Sequence, residues 1–187
     1  MPRIFDIAIA LVALIVLSPV LLIAAIAIKL GSRGPVLYRQ RRVGLGGEEF
    51  EMLKLRTMVE GSDPVGVGTV VTRDDPRVTG SGRLLRRTSL DEIPNLVNVL
   101  RGEMAIVGPR PTIPAQVAGY TPRQRHRHDV RPGITGWAQV QGRAGIPWEE
   151  RIDLDLEYVE RRSAALDAHV LAKTAWLLVT GHGLAPD

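Results

Sequence analysis

The sequence predicts a mainly helical α+β protein attached to a membrane through its N-terminal segment. The first thirty positions hold 24 hydrophobic residues, whereas the rest of the 187-residue chain has the composition of a soluble domain. Two short strand-like segments follow the leader, and segments with helical spacing dominate the remainder. Because the length corresponds to about one domain, we expect a membrane helix over 1–30 and one cytoplasmic domain over 31–187.

The leader contains 22 uncharged residues, 7–28. A straight helix of that length, at 1.5 Å per residue, just spans the roughly 30 Å hydrocarbon layer. Ser18-Pro19 lies at its middle, where proline removes a backbone donor, so we expect the helix to break there. Basic residues flank both ends, which favours the cytoplasm for both. The pattern favours a re-entrant, monotopic helix; the alternative is a kinked single anchor, and a cleaved signal peptide is disfavoured because the apolar run is too long.

The elements after the leader follow from residue spacing. Residues 35–40 and 49–54 read as two strands of a hairpin around the Gly-rich stretch 44–47. Residues 61–82 are rich in Gly, Asp, Pro and Thr, which is typical of a loop. Helical patterns recur at 82–88, 90–101, 112–128, 147–162 and 166–180.

The last two predicted helices are amphipathic. The 147–162 segment places Trp148, Ile152 and Leu156 on one face, and the 166–180 segment carries Trp176, a residue that membrane interfaces favour. We expect both to lie at the membrane interface; the alternative is that they pack on the core of the domain.

Composition limits the chemistry. The chain has no cysteine, which excludes disulfide scaffolds, thiol nucleophiles and thiolate zinc sites. Arginine supplies 21 of the 24 cationic side chains, and its forked guanidinium suits phosphate and carboxylate. Anionic lipid, a phosphorylated substrate and nucleic acid are the partner classes that such a surface binds. Only 4% of the residues are aromatic, which argues against stacking on single-stranded nucleic acid.

Two adjacent acids, Asp91 and Glu92, are the candidate catalytic pair. One interpretation is a capping box, because Ser89 precedes Glu92 by three residues and acids suit a first helical turn. Pro94 argues against it, because it would fall past the first turn, where proline is tolerated. The other interpretation is a carboxylate nucleophile beside a carboxylate acid/base, with a divalent cation and arginines offsetting their repulsion.

Residues 107–111 form the third element of the candidate site. Pro109 and Pro111 fix the backbone on either side of Arg110, so the guanidinium has a defined direction. Phosphate is its natural target, and a carboxylate within the fold is equally compatible with the spacing.

These motifs resemble the bacterial sugar transferase family, the polyprenol-phosphate phosphoglycosyl transferases built on a single membrane helix. The resemblance covers nearly the whole chain. It rests on Ser18-Pro19, KLRTM at 54–58, the run from Arg86 through SLDEIPNLVNVLRG at 89–102, GPRP at 108–111, RHDVRPGITG at 127–136, QVQGR at 139–143 and residues 155–167. No membrane bundle precedes these motifs, so the chain is similar to the small family members that start glycan assembly from a UDP-linked amino sugar.

The resemblance implies the reaction. Asp91 attacks the sugar-linked phosphate of a UDP-sugar, expels UMP and forms a phosphosugar ester, which undecaprenyl phosphate then displaces, with Glu92 as general base. Mg²⁺ near Asp91 would screen the diphosphate. The family also implies a re-entrant leader. The positions implied to bind substrate are Lys54, Arg86, Arg110, Asp155 and, less directly, Arg131 and Arg143.

The sequence thus predicts an enzyme on the cytoplasmic face of the bacterial cytoplasmic membrane, acting at the first membrane step of exopolysaccharide, O-antigen or glycoprotein assembly. Its expected partners are a UDP-sugar, undecaprenyl phosphate and inner-membrane lipids, but not nucleic acid; a homodimer is left open. Two rivals stand beside this prediction. One is a non-catalytic membrane-anchored module that binds anionic lipid or RNA, and the other is a metal-dependent hydrolase of lipid diphosphates.

Overall fold

The computed structural model describes residues 1–62, 75–142 and 146–180. A long apolar helix, α1 (Arg3–Gly31), precedes a hairpin of β1 (Leu37–Val43) and β2 (Glu49–Leu55). The later elements are α2 (Gly80–Arg87), α3 (Asn95–Arg101), β3 (Ala105–Val107), α4 (Pro114–Val117), α5 (Pro122–Arg125), β4 (Gly133–Thr135), α6 (Trp137–Gln141), α7 (Trp148–Arg161) and α8 (Ala164–Thr180). The predicted class, mostly helical with a small sheet and one long N-terminal helix, is confirmed.

The hairpin is antiparallel, as predicted, and its register sets one wall of the later site. Tyr38 pairs with Lys54, and Gln40 pairs with Met52. Because side chains alternate along a strand, Tyr38, Gln40 and Arg42 lie on one face of β1, the face that they share with Lys54 on β2. Leu37, Arg39 and Arg41 lie on the opposite, exposed face.

A second sheet was not predicted. β3 and β4 pair in parallel, with Ala105 opposite Gly133 and Val107 opposite Thr135. Each strand has three residues, which is too short to produce an alternating pattern. The pairing matters because the backbone that leaves β3 enters the Gly108–Pro111 turn directly.

The leader is one continuous helix through Ser18-Pro19, so the predicted break in helical structure is wrong. Ser18 Oγ donates to the carbonyl oxygen of Ile15 over 2.8 Å, which keeps the backbone near the proline hydrogen-bonded. By length and apolar composition α1 can cross a membrane. Whether it crosses depends on where its two ends lie relative to the domain.

Both ends of α1 contact the domain. Near the N-terminus, Arg3 Nη1 donates to the carbonyl oxygen of Met104 over 2.9 Å, and buried Asp6 accepts the backbone N–H of Ile106 over 3.0 Å. Near the C-terminus, buried Ala24 and Ile28 pack with residues of β2 and α2. Between positions 11 and 23 no residue of the helix is buried. One side of the middle, formed by Ala13, Leu14, Leu17 and Leu21, packs partly buried against the core, whereas the opposite side presents exposed apolar side chains.

Burial in the core contradicts one of the two predicted interfacial helices. Ile152 and Leu156 of α7 are buried inside the domain, so α7 packs on the core and is not an interfacial helix. Helix α8 has both buried and exposed apolar residues: Val170 and Leu177 are buried, but Trp176 is 55% exposed. The exposed end of α8 keeps the prediction of an interfacial contact open.

Residues 112–128 are not the single helix that their pattern predicted. Pro114 and Pro122 each begin a short helix, α4 and α5, and Gly119 lies between them. Both prolines occupy the first helical turn, where their missing N–H costs no hydrogen bond. The segment therefore follows the surface of the domain in short turns.

Candidate active site

Glu92 lies at the centre of the candidate site. Its Oε1 accepts hydrogen bonds from Lys54 Nζ over 2.7 Å and from Arg110 Nη2 over 2.6 Å. Arg110 Nη1 reaches Oε2 over 3.4 Å. The structure thus brings together three predicted site residues from β2, from the turn before α3 and from the turn after β3. Of the two targets left open for Arg110, the structure places a carboxylate against it.

The charges around Glu92 keep it ionised. Burial opposes ionisation, but Arg110 and Lys54 outweigh it and lower the pKa of Glu92 below its usual range. Burial lowers the pKa of Lys54, with Glu92 acting in the opposite direction, and Glu92 raises the pKa of Arg110. At neutral pH Glu92 is therefore a fixed negative charge that holds two cations.

Asp91 has the opposite environment, although it is the next residue. It is only 9% exposed, and among the described residues no hydrogen bond reaches its carboxylate. Burial raises its pKa to about 6, the charge of Glu92 adds to the effect, and Lys54, Arg86 and Arg110 oppose it. A buried carboxylate with a raised pKa that is still ionised at neutral pH has the character of a nucleophile.

The backbone around the two acids is irregular, as Pro94 indicated. Asp91 and Glu92 lie in a single 3₁₀ turn (Leu90–Glu92), and helix α3 begins only at Asn95. Ser89 makes no capping hydrogen bond with its side chain, so the capping-box interpretation is wrong. Instead Ser89 has φ 56° and ψ 17°, a left-handed conformation that a residue with a side chain rarely adopts. Such strain is typical of sites where function fixes a side-chain direction.

Three backbone contacts fix the turn that carries Arg110. Gly108 N–H donates to the carbonyl oxygen of Thr135 over 2.9 Å, and Gly133 N–H donates to that of Pro109 over 2.9 Å. A Cβ atom on Gly108 would overlap the carbonyl oxygen of Arg131, so only glycine permits this approach. The glycines of the two motifs therefore act by letting β4 and the Arg110 turn lie together.

Asp155 does not contact the acids. It is buried and forms an ion pair with buried Arg127. Arg127 in turn donates to the carbonyl oxygen of Arg110 over 3.0 Å and to Tyr120 Oη over 2.6 Å. The position of Asp155 therefore indicates that it supports the Arg110 turn through Arg127, a residue that sequence reasoning missed.

The remaining predicted residues differ in position. Arg86 lies beside Asp91, and its Nε donates to Thr57 Oγ1 over 2.8 Å. Arg131 is exposed and donates to the carbonyl oxygen of Gly102 over 2.9 Å. Because Arg131 lines neither cavity at the site, its predicted contact with substrate has no support from its position. Arg143 lies outside the described residues.

Two cavities meet at the Glu92–Arg110 pair. The first, which we call the Asp91 cavity, has a volume of about 560 Å³ and is lined by the acids and by Lys54 and Arg86. The second, the adjoining cavity, has a volume of about 580 Å³ and lies toward α6, α7 and α8. Four residues line both: Arg42, Ser89, Glu92 and Arg110.

Sequence reasoning missed the β1 residues of the Asp91 cavity. Tyr38, Gln40 and Arg42 line it together with Lys54. The signal was present in the period-two alternation of the predicted strand, which puts these three side chains on one face. The sequence did not indicate the register of the hairpin, which places that face beside Lys54.

Among the described residues, few side chains that could act as metal ligands lie close together. Within residues 1–62, 75–142 and 146–180, no group of three or more His, Asp and Glu side chains could hold a cation. Asp91 is the one acid of the pair without a cationic hydrogen-bond partner among these residues. Mg²⁺ commonly uses one or two carboxylates and completes its coordination with water and substrate phosphates. Asp91 fits such a site if a diphosphate is bound.

Comparison with known proteins places the chain in a family. A model of the family described as bacterial sugar transferase matches residues 1–181. The uncharacterized sugar transferase EpsL of Bacillus subtilis (strain 168) is 41% identical over 184 residues, which cover 97% of this chain and 89% of that protein.

Two relatives have named activities. The UDP-glucose:undecaprenyl-phosphate glucose-1-phosphate transferase of Xanthomonas campestris pv. campestris is 45% identical over 174 residues, 89% of this chain and 36% of that protein. The UDP-N-acetylgalactosamine-undecaprenyl-phosphate N-acetylgalactosaminephosphotransferase of Aeromonas hydrophila is 40% identical over 184 residues, 95% of this chain and 43% of that protein. The chain thus spans less than half the length of these two. With the family match along almost its whole length, the chain belongs to the bacterial sugar transferase family and is a phosphoglycosyl transferase.

Proposed function

We propose that the chain transfers a sugar 1-phosphate from a UDP-sugar to undecaprenyl phosphate and releases UMP, through a phosphosugar ester on Asp91. The observation that carries the proposal is the buried Asp91 carboxylate, which lines a cavity that also holds Lys54, Arg86 and Arg110. Such a cavity suits a diphosphate next to a nucleophile. The two relatives with named activities act on UDP-sugars and undecaprenyl phosphate, which supports the same substrate classes here.

The first half-reaction forms the ester. An Asp91 oxygen bonds to the phosphorus that carries the sugar, while the bond from that phosphorus to the oxygen bridging the two phosphates breaks. The bridging oxygen leaves with the electron pair as part of UMP. Lys54 and Arg110 lie where they can contact the phosphate oxygens on which negative charge accumulates.

The second half-reaction releases the product. An oxygen of the lipid phosphate bonds to the same phosphorus, and the bond between Asp91 and phosphorus breaks, which regenerates the carboxylate. The product is a polyprenyl diphosphate sugar, the first membrane-bound intermediate of a glycan assembly.

We propose that Glu92 is a positioning residue and not the general base that the family resemblance implied. Its lowered pKa makes it a weak proton acceptor. The attacking group also has little need of a base, because the second pKa of a phosphate monoester is about 6 and the group is largely a dianion at neutral pH. Its hydrogen bonds instead hold Lys54 and Arg110 beside Asp91.

The proposal includes Mg²⁺, held by Asp91 and by oxygens of the bound diphosphate. When bound, the cation would neutralise part of the diphosphate charge and polarise its P–O bonds. The residues of the chain supply the rest of the positive charge, through Lys54, Arg86 and Arg110.

We also propose that α1, which stays helical through Pro19, bends at that proline, enters the cytoplasmic leaflet and returns, so that the protein is monotopic. In a helix that crossed the bilayer, its first residues would lie about 30 Å from a domain on the other side. The hydrogen bonds of Arg3 and Asp6 to residues 104–106 support the proposal, because they hold the first residues of the helix against the domain. The exposed apolar side chains of the helix middle, Leu11, Val12, Ile15, Val16, Leu22 and Ile23, are the part available to lipid.

Labelling tests the topology. A cysteine in place of Pro2 is accessible to a membrane-impermeant maleimide in intact cells only if the N-terminus lies outside. We expect labelling of Pro2→Cys only after permeabilisation, as for a matched Ser62→Cys control in the domain. External labelling of Pro2→Cys alone would exclude the re-entrant arrangement.

The reaction itself is tested by UMP release. The purified protein is incubated with a panel of UDP-sugars that includes UDP-glucose and UDP-N-acetylgalactosamine, with and without undecaprenyl phosphate. We expect one turnover of UMP without lipid, sustained UMP release with lipid, and no release from Asp91→Asn. Asp153→Asn, an exposed surface carboxylate, serves as the matched control. No UMP from any donor would favour a non-catalytic module, and phosphate release from lipid diphosphates without a UDP-sugar would favour a hydrolase.

A further inference from the structure

Arg42 lies on the boundary between the Asp91 cavity and the adjoining cavity, and no role has been assigned to it above. It lies on the face of β1 that carries Tyr38 and Gln40, and lines both cavities together with Ser89, Glu92 and Arg110. Its side chain is half-buried. A cation at this boundary faces any substrate that extends from one cavity into the other.

The guanidinium of Arg42 is fixed by neutral partners. Nε and Nη2 donate to Gln40 Oε1 over 3.1 and 2.6 Å, and Nη1 donates to the carbonyl oxygen of Pro111 over 2.9 Å. In the part of the chain that the structure describes, no carboxylate lies within ion-pair distance of it. Three of its five N–H groups are used in these contacts, so each Nη keeps one donor. The arrangement leaves Arg42 with two donors, and the carboxylate whose charge acts on it, Glu92, is already hydrogen-bonded to Lys54 and Arg110.

Arg42 differs from the other cations in its electrostatic neighbours. The charges of Lys54, Arg86 and Arg110 act on Asp91, whereas Arg42 is influenced by Arg110 and Glu92, which act on both groups. A diphosphate has two phosphates, and only one of them is attacked. Cations beside Asp91 suit the attacked phosphate, and Arg42 is placed for the other.

In the two half-reactions, the position of the phosphate that is not attacked is occupied in turn by two different groups. Displacement at phosphorus is in line, so the leaving group lies opposite the attacking oxygen. In the first half-reaction UMP leaves from the side opposite Asp91. In the second half-reaction Asp91 is the leaving group, so the lipid phosphate attacks from the side that UMP vacated.

We propose that Arg42, with Arg110, forms one phosphate subsite opposite Asp91, which binds the phosphate of departing UMP and then the phosphate of the incoming lipid. This inference rests on the proposed function, because it assumes a phosphosugar ester on Asp91. It adds a binding residue on β1 and states that both monoesters compete for one site. The contact from Arg42 to Pro111 also ties the subsite to the turn of Arg110.

Direct binding tests the subsite without turnover. In an Asp91→Asn background, UMP is titrated calorimetrically into protein with Arg42 intact and into protein carrying Arg42→Gln. We expect the Kd for UMP to rise about 10-fold or more, since a charged hydrogen bond is lost. Arg39→Gln is the matched control, because Arg39 is on the exposed face of the same strand and its ion pair, at 3.4 Å, is with the exposed Glu51. It should leave the Kd unchanged.

Two activity measurements separate the half-reactions. Exchange of labelled UMP into the UDP-sugar that the wild type uses reports the first half-reaction without lipid. Chase of the isolated phosphosugar ester with undecaprenyl phosphate reports the second. We expect Arg42→Gln to slow both by a similar factor, about 10-fold or more, Arg42→Lys to slow both less, and UMP to compete with the lipid.

Each result bears on either the shared subsite or the proposed function. Unchanged UMP affinity in Arg42→Gln, or slowing of one half-reaction alone, would overturn the shared subsite while wild-type exchange keeps the proposed function intact. If the wild type itself neither exchanges UMP nor forms an ester, the proposed function fails instead. The Tm of Arg42→Gln should lie within a few degrees of that of Arg39→Gln. If it does not, Arg42→Lys replaces Arg42→Gln, because lysine keeps the charge and can reach the Pro111 carbonyl. Unchanged UMP affinity and unchanged rates in Arg42→Lys would then overturn the subsite.

Discussion

Replacing Asp91 and Glu92, which are adjacent acids, should change the stability of the folded chain in opposite directions. Burial raises the pKa of Asp91 from 3.8 to about 6. Each unit of pKa difference between folded and unfolded chain corresponds to about 1.4 kcal/mol. A carboxylate whose pKa is raised by folding destabilises the fold when it is ionised, so Asp91→Asn should stabilise the protein.

The gain should depend on pH in a defined way. Below about pH 4 the carboxylate is protonated in both states and costs nothing; above pH 6 it is ionised in both and the full difference applies. We expect Asp91→Asn to stabilise by about 1 kcal/mol at pH 4.5 and by about 3 kcal/mol at pH 8. For a chain of this size that corresponds to a rise in Tm of about 6 to 12 °C at pH 8.

Glu92→Gln should destabilise. It removes the acceptor shared by Lys54 and Arg110, whose side chains are 16% and 45% exposed, and leaves the charge of Lys54 largely buried without a partner. We expect a loss of about 2 kcal/mol, below the values typical of fully buried pairs because Arg110 reaches solvent. The pKa of Glu92 is lowered by folding, so its stabilisation is present above its unfolded value and is lost only in strong acid. The loss should therefore be constant from pH 5.5 to 8.

Thermal unfolding in detergent, followed by tryptophan fluorescence between pH 4.5 and 8, measures both effects. Asp153→Asn is the control, because it removes an exposed carboxylate that pairs with Arg123 at 2.7 Å and should change stability by less than about 1 kcal/mol. Two results would refute the reasoning. One is a change of the same sign for Asp91→Asn and Glu92→Gln, and the other is a gain for Asp91→Asn that does not vary with pH.

Four further predictions concern activity. The value of kcat/KM for the UDP-sugar should rise as pH increases through about 6 and then level off, because kcat/KM reports the ionisation of the free enzyme and Asp91 must be ionised to attack; a flat kcat/KM profile from pH 5 to 8 would contradict this. Arg110→Lys should lower kcat/KM by about 10-fold or more, because one ammonium cannot replace a guanidinium that reaches both oxygens of Glu92; wild-type kinetics would contradict the role. Asp155→Asn should lower kcat more than it raises KM, because it acts through Arg127 on the carbonyl of Arg110, and a pure KM effect would instead indicate substrate contact. Excess EDTA should stop turnover and Mg²⁺ should restore it, and full activity in EDTA would remove the metal from the mechanism.

The sequence predicted the elements whose patterns are long or local. The apolar run predicted α1, and period-two alternation with a Gly-rich turn predicted the hairpin. The strands β3 and β4 have three residues each and become strands only by pairing across 28 residues of chain, as in Ala105 with Gly133. No local pattern predicts such a pairing. The single helix predicted over 112–128 was wrong for a related reason, because the apolar spacing of this segment concealed two short helices that each begin at a proline.

The candidate site was predictable in its residue types but not in its pairings. Asp91, Glu92, Lys54 and Arg110 were all identified, yet the sequence left open whether Arg110 faces phosphate or carboxylate. That depends on the turn after β3, which Arg127 and the parallel strand fix from a distance. Arg42 was missed as a site residue because its proximity to Arg110 follows from hairpin register and tertiary packing.

Charge balance explains why two acids can remain ionised in one site. The lining of the Asp91 cavity carries five cationic side chains, Lys54, Arg86, Arg110, Arg42 and Arg56, and three acidic ones, Asp91, Glu92 and Glu60, so positive charge is in excess by two. The diphosphate of a UDP-sugar brings about two negative charges, and this excess lowers the cost of placing it beside a carboxylate nucleophile. Glu92 holds two of these cations in place by direct hydrogen bonds, whereas Asp91 receives none from the described residues and keeps its oxygens available. Lys54, Arg86 and Arg110 therefore serve two purposes: they limit the rise that burial causes in the pKa of Asp91, and they attract the phosphate that it attacks.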